Sequence, residues 1–395
     1  MSFVSDKVKN MPPYLFSEFQ RKKKQLEAEG VDVIDLGIGA PDLPAPEFIY
    51  NKLVEEAKKP ENHRYSTYSG CAEFKEAVSY FYKKHYEVDL DPDTEVLALI
   101  GSKEGIANLI QAVVNPGDTV LVPDPGYPVY RTAVHIAGGE SVSLPLDRDN
   151  GFVPLYGKLS ERDVQQAKLM FINYPSNPTA ATVNLTAFLE AITFAKENNI
   201  MLANDAAYDL VTFDKYKAPS VLQAPNAKEY AVEFGSLSKS FNMTGWRMGY
   251  IVGNKEIIKA LATLKSNIDT SQFLPIQKAA AAALRSDFST VAANNAIYKE
   301  RMEKMHGALK EIGIYAEKPK GTIFLWAKVP EGIRSAEFAA LLLNDAGIIV
   351  TPGIAFGANG EGYIRISLSV TTERLDEVIH RLKKLNLKEM TKSWT

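Results

Sequence analysis

The sequence predicts an α/β fold: a mostly parallel sheet with helices on both faces, followed by a smaller α+β unit. Two observations predict it. Short apolar runs alternate with helical patterns through the middle of the 395 residues. Those runs are apolar throughout, as strands buried on both faces must be.

The elements can be taken in chain order. "EVLALIGS" (95–102) reads as a buried strand and "KEGIANLIQAVV" (103–114) as the helix after it. "DTVLVPDP" (118–125) is a strand ending in turn residues, "AKLMFINYP" (167–175) a strand, "TAFLEAITFAKENN" (186–199) a helix and "IMLANDAAY" (200–208) a strand. "YAVEFGSLSK" (230–239), "MGYIVGN" (248–254) and the helical "KEIIKALATLKSN" (255–267) continue the rhythm. The C-terminal part changes character. One long alanine-rich helix is predicted from about Leu274 to Ile312. After it come "GTIFLWAKVP", a helix through "SAEFAALLLNDAG", two short strands in "IIVTPG" and "GYIRISLSV", and a last helix through "TTERLDEVIHRLKKL". The N-terminal "VDVIDLGIGAPDLPAP" is too short to stand alone and is expected to pack on one of the two domains.

Composition bounds the function. Apolar residues are 46% and charged residues 24%, as in ordinary globular chains. The net charge of −3 gives no electrostatic reason to expect nucleic acid or an anionic membrane as partner. A single cysteine, Cys71, excludes an internal disulfide and a cysteine metal cluster. The five histidines are scattered, so no metal site is expected. No secretion signal or membrane span is read, and a cytoplasmic location is expected.

In an open parallel sheet, ligands sit outside the carboxyl ends of the strands. The residues just past each strand are therefore informative. Gly101, Ser102, Lys103 and Glu104 open a helix, whose free N–H groups and positive dipole end suit a phosphate. Tyr127 in "PDPGYP" offers a flat aromatic face, and Asn177 stands between turn residues in "NYPSNPT". Asp205 is an acid at a strand end, with Tyr208 three residues on. "GSLSKSFNMTGWRMGY" (235–250) brings Ser236, Ser238, Lys239 and Arg247. Pyridoxal phosphate needs this inventory: a lysine for covalent attachment, an acid against the ring nitrogen, and phosphate ligands. The carboxylate stabilises the proton on that nitrogen electrostatically.

The bland readings are real for each residue alone. A loop lysine is normally a solvated charge, an aspartate at a strand end often caps a helix, and tyrosines are often core. The combination reverses the odds. In order along the chain stand "GIGAPDLPAP", "YSTYSG", "GSKEG", "PDPGYPVY", "YPSNPT", "NDAAY", "SLSKSFNMTGWRMGY" and "YIRIS". With these motifs the chain resembles, over nearly its whole length, the pyridoxal-phosphate-dependent aminotransferases of class I/II, fold type I. "MPPYLF", "GSKEG" and "KSNIDT" are most like the bacterial LL-diaminopimelate aminotransferase group, with alanine, aspartate and methionine aminotransferases as near neighbours.

The resemblance implies a seven-stranded sheet in a large domain (46–280) and a small domain from 1–45 and 281–395. It implies that Lys239 holds the cofactor and shuttles the proton, and that Asp205 pairs with the ring nitrogen. Tyr208 and Asn177 bind the ring hydroxyl oxygen, and Tyr127 stacks on the ring. Ser102, the Lys103 backbone, Ser236 and Arg247 bind phosphate, and Tyr65 reaches the phosphate of the other subunit of a homodimer. Arg365 clamps the substrate α-carboxylate in a bidentate fork, near the Gly39 backbone. The substrates implied are an L-amino acid and a 2-oxo acid, 2-oxoglutarate foremost. Lys103, Asn267, Tyr14 and Tyr127 are candidates to meet the far end of a long substrate. The chain departs from the pattern in four places: Ala180 replaces the usual glycine, Ala206 a common glutamate, Ala40 a frequent aspartate, and "EFK" (73–75) the commoner leucine–arginine.

Competing readings are a pyridoxal-phosphate β-lyase acting on cysteine conjugates, and a ligand-sensing regulator. The regulator needs a basic DNA-binding segment, and only about 30 residues precede "VIDLGIG", with no such charge. A dinucleotide-binding dehydrogenase lacks its G-x-G-x-x-G.

Overall fold

The computed structural model of the chain describes residues 3–11 and 15–385. In chain order the strands are β1 (Ile34–Asp35), β2 (Val96–Leu99), β3 (Thr119–Asp124), β4 (Glu140–Pro145), β5 (Ala167–Ile172) and β6 (Met201–Asp205). Next come β7 (Ala231–Ser236), β8 (Gly249–Gly253), β9 (Phe324–Lys328), β10 (Ile348–Ile349), β11 (Thr351–Pro352) and β12 (Tyr363–Ser367). Seven of them form one sheet in the order β2-β8-β7-β6-β5-β3-β4. Only β8 runs antiparallel to its neighbours β2 and β7. A three-stranded antiparallel sheet, β11-β12-β9, and the parallel pair β1-β10 make up the rest.

The large sheet is buried on both faces because apolar side chains on its central strands point to both sides. Leu121, Met170 and Leu202 point into one core with Phe74, Phe81 and Tyr250. Their neighbours Val120, Leu169 and Ala203 point into another with Ile106, Leu109 and Tyr130. Burying one such side chain contributes roughly 1.5–3 kcal/mol. A third core gathers Ile34 and Leu36 with the small sheet and the helices Ser335–Ala346 and Thr372–Lys384. Thus the N-terminal strand packs where the C-terminal part folds.

Three local expectations need correction. Strand β4 has no counterpart in the sequence reading; it is an edge strand, exposed at three of its six positions, so its residues do not form an apolar run. The alanine-rich helix is two helices, Leu274–Leu284 and Ser289–Glu311, broken where Phe288 takes φ +61°. The Phe288 ring lies against Phe81, His85 and Phe241, and this packing holds the break. Strand β7 stops at Ser236, so Lys239 sits on a helical turn, Leu237–Ser240. The helix Ser289–Glu311 joins two cores: Val291 packs beneath the large sheet, whereas Tyr298, Met302, Met305 and Leu309 pack under the small one.

Candidate active site

The carboxyl ends of β2, β3, β5, β6 and β7 open on one cavity of about 530 Å³. Eleven of the site residues predicted from the sequence line it: Gly39, Ser102, Lys103, Tyr127, Asn177, Asp205, Tyr208, Ser236, Lys239, Arg247 and Arg365; Tyr65 and Asn267 do not. They come from segments as far apart as 39 and 365: the loop after β1, the carboxyl ends of the large sheet, and β12 of the small antiparallel sheet.

At the end of β7, the Ser236 hydroxyl oxygen accepts the Ser238 N–H at 3.2 Å and caps the helical turn that carries Lys239. The Lys239 Nζ donates to the Gly39 carbonyl and lies 5.7 Å from the centre of the Tyr208 ring. Burial, with Arg365 and Arg247 close by, pulls the Lys239 pKa down to about 8. Among ordinary lysines nearly all are protonated at neutral pH, so this environment favours the neutral amine that a nucleophile requires.

Asp205 closes β6. Its Oδ2 accepts from the Tyr130 hydroxyl at 2.8 Å, while its Oδ1 is buried without a hydrogen-bond partner. Burial raises its pKa to about 6 against the lowering by Tyr130. A buried carboxylate oxygen with no partner is costly, and one facing a cavity is suited to a cationic donor supplied by a ligand.

On the phosphate side, Gly101 has φ +77° and precedes the helix Ser102–Val113. A Cβ here would fall 2.2 Å from Arg247 Nη2, so glycine lets the guanidinium lie against the turn. The Arg247 guanidinium also donates to the Thr244 carbonyl at 3.0 Å.

Arg365, in the middle of β12, is buried. Its Nη1 donates to Asn177 Oδ1 at 2.7 Å and its Nη2 to the Gly37 carbonyl at 2.6 Å. The guanidinium lies over the rings of Phe324 and Phe356, 4.3 and 4.9 Å from their centres. Asn177 is itself fixed by the Asn173 side chain, which accepts the Asn177 N–H at 2.7 Å.

Sequence reasoning missed Tyr130, Asn173, Gly37 and Phe324. Tyr130 lies three residues past Tyr127 in "PDPGYPVY", but nothing local marks its bond to an aspartate 75 residues away. Gly39 lies so close to Phe324 that a Cβ would fall 2.4 Å from the ring. Ala40 does not line the cavity, whereas Asp42, two residues on, takes a fork of hydrogen bonds from Arg301 at 2.8 and 2.9 Å. Asn267 is exposed and bonds the Thr263 carbonyl, outside the cavity; Tyr14 lies outside the described residues. Tyr65 is 89% exposed and borders a separate surface cleft with His63 and Phe273.

The family description "Aminotransferase class I and II" matches residues 31–382. The chain belongs to the class I and II aminotransferases. It is 48% identical to an LL-diaminopimelate aminotransferase of Moorella thermoacetica over 96% of this chain and 97% of the relative. The same identity holds to an LL-diaminopimelate aminotransferase of Aquifex aeolicus, over 97% and 99%. Among solved structures, substrate-bound BacF of Bacillus subtilis superposes with a TM-score of 0.94 at 39% identity, covering 98% of each chain. An aspartate aminotransferase of Thermus thermophilus gives 0.90 at 27% identity, covering 97% of this chain and all of the other. The fold is that of fold type I, and the aminotransferase works with pyridoxal 5′-phosphate, moving an amino group from an amino acid to a 2-oxo acid. The cavity fits that cofactor: Asp205 Oδ1 awaits a cationic N–H, Lys239 is buried with a lowered pKa, and Ser102 and Arg247 adjoin one helix start. No helix among the described residues is long and apolar enough to cross a membrane.

Proposed function

We propose that this aminotransferase takes its amino group from LL-diaminopimelate and passes it to 2-oxoglutarate. The carrying observation is the 48% identity to LL-diaminopimelate aminotransferases along nearly the full length of both chains. The cavity agrees with a long, doubly charged donor, because Lys103 and Tyr127 line it together with Arg365.

In the same reading each side chain has a task. The bound cofactor supplies an electron sink for the bond broken at the substrate Cα. Lys239 holds the cofactor and, as a neutral amine, takes and returns the Cα proton. Asp205 keeps the ring nitrogen protonated, with Tyr130 fixing its other oxygen. Ser102, the Lys103 backbone, Ser236 and Arg247 hold the phosphate, Tyr127 covers the ring, and Tyr208 with Asn177 holds the ring oxygen. Arg365 clamps the α-carboxylate beside the Gly39 backbone. Asn177 Oδ1 aims that guanidinium, so one residue serves cofactor and substrate together.

The reading also divides the chain into a large domain, 46–280, and a small one, 1–45 with 281–395. The separate cores of the two sheets support this. It makes the enzyme a cytoplasmic homodimer in which Tyr65 serves the partner's cofactor. The exposure of Tyr65, Tyr68, Ile268 and Phe273 supports a partner, and a lone cysteine suits a reducing compartment. Light scattering at micromolar concentration that finds an active monomer would overturn the dimer.

Donor specificity is tested with LL-diaminopimelate, aspartate, alanine and methionine against 2-oxoglutarate, scored by kcat/KM. Diaminopimelate leads in this reading. Another donor ahead of it tenfold refutes the substrate, and release of pyruvate and ammonia from cysteine conjugates faster than transfer favours a β-lyase.

A further inference from the structure

Two motifs lie 161 residues apart and meet in a partly buried ion pair: Lys265 of "KSNIDT" donates to Glu104 Oε1 of "GSKEG" at 2.8 Å. The Lys265 side chain is fully buried. It also donates to Asp269 Oδ2 at 2.9 Å. Glu104 is the third residue of the helix Ser102–Val113, and its Oε2 turns back to accept the Ile100 N–H at 2.9 Å. Asn108 holds the same carboxylate from the next turn of the helix. The residues after Lys265 grip the turn from the other side: Asp269 Oδ1 accepts the Ser271 N–H at 3.0 Å, and Gln272 Nε2 donates to the carbonyls of Leu99 and Arg247.

A carboxylate in the first turn of a helix is stabilised by the positive end of the macrodipole. Here the same helix end carries Ser102 and Lys103, so Glu104 competes with a phosphate for it. One ammonium between two carboxylates leaves a single net negative charge; without Lys265 that charge doubles next to the phosphate turn. The Glu104 carboxylate would then turn toward water and release the Ile100 N–H, loosening the turn that leads to Gly101 and Ser102.

We infer that Glu104 and Lys265 are positioning residues for the cofactor's phosphate: Glu104 shapes the turn, and Lys265 neutralises the charge that this shaping brings. The inference rests on the proposed placing of the phosphate at Ser102 and Arg247.

The test compares the affinity of cofactor-stripped protein for pyridoxal 5′-phosphate and for pyridoxal, which lacks the phosphate. The ratio of the two dissociation constants isolates the phosphate end; a merely structural role weakens both ligands alike. Lys265→Met lowers the preference for the phosphorylated ligand at least tenfold. The double variant Glu104→Gln/Lys265→Met keeps an acceptor for Ile100 and returns the preference to within threefold of the parent. An unchanged ratio in Lys265→Met overturns the inference, as does a double variant as poor as the single one. If Lys265→Met does not fold, the double variant decides: within threefold supports the inference, tenfold lower overturns it. Arg247→Ala is the control for the phosphate site. An unchanged ratio there overturns the site assignment, and the inference with it.

Discussion

Asp205→Asn should make the cofactor-stripped protein more stable while disabling the enzyme. Asp205 is buried, and its pKa stands at about 6 in place of the usual 3.8. At about 1.4 kcal/mol per tenfold change, that rise corresponds to about 3 kcal/mol. The sign comes from proton binding. The folded state holds this proton more tightly than the unfolded chain, so stability is greatest below about pH 4, falls as pH rises to about 6, and stays lower above. An amide in this position carries no charge to bury, and its oxygen can still accept from Tyr130. Its nitrogen lacks an acceptor, which takes back about 1–2 kcal/mol. The net gain at pH 8 is about 1–2 kcal/mol, and at pH 4 it turns into a loss of similar size. Urea unfolding of the stripped protein at both pH values, monitored by tryptophan fluorescence, reads this directly. Turnover of the loaded variant falls about 100-fold or more, because the charge facing the ring nitrogen is gone. A variant less stable than its parent at pH 8, or a difference independent of pH, would refute the reasoning.

Cofactor capture by the stripped protein should accelerate with pH along one titration centred near 8, the value to which burial and the two arginines bring Lys239. At pH 7 about a tenth of Lys239 is then neutral, against fewer than about one in a thousand for an ordinary lysine; a midpoint near 10 contradicts the assignment. Ala180→Gly should stabilise the fold by about 0.5 kcal/mol. Ala180 has φ +57°, a conformation costing a side-chain-bearing residue about 1–2 kcal/mol, of which the greater entropy of unfolded glycine offsets about 0.5–1. Denaturant titration that shows a loss would exclude strain at this position.

The large sheet was legible because strands buried on both faces carry near-continuous apolar runs, as Val96–Leu99 and Leu169–Ile172 do. Strand β4 was not, since an edge strand is free to carry Glu140, Ser141 and Ser143. The helix break at Phe288 carries neither glycine nor proline. It is set by aromatic packing against residues some 50 to 200 positions earlier, which no local pattern records. For the site, chemistry concentrated at strand ends made Lys239, Asp205 and Arg365 visible. Their supports were hidden because they come from other segments: Tyr130 for Asp205, and Gly37 and Phe324 for Arg365. The positive φ of Ala180 marks a position that glycine would occupy without strain.

The helix Ser289–Glu311 is, mechanically, a lever about 34 Å long. Its Val291 end is the fulcrum, seated beneath the large sheet, and its far half is gripped by the smaller core. Arg301, about 15 Å from that fulcrum, is forked onto Asp42, three residues beyond the Gly39 carbonyl that receives the Lys239 amine. A tilt of about 5° displaces Arg301 by about 1 Å. Hydrogen bonds of 2.8 and 2.9 Å do not stretch that far without breaking. The loop 37–44 must therefore swing with the helix or let go of it. The Arg301–Asp42 fork thus adds a geared link at the far end of a segment that Arg365 and Ser369 already hold at the Gly37 and Ile38 carbonyls.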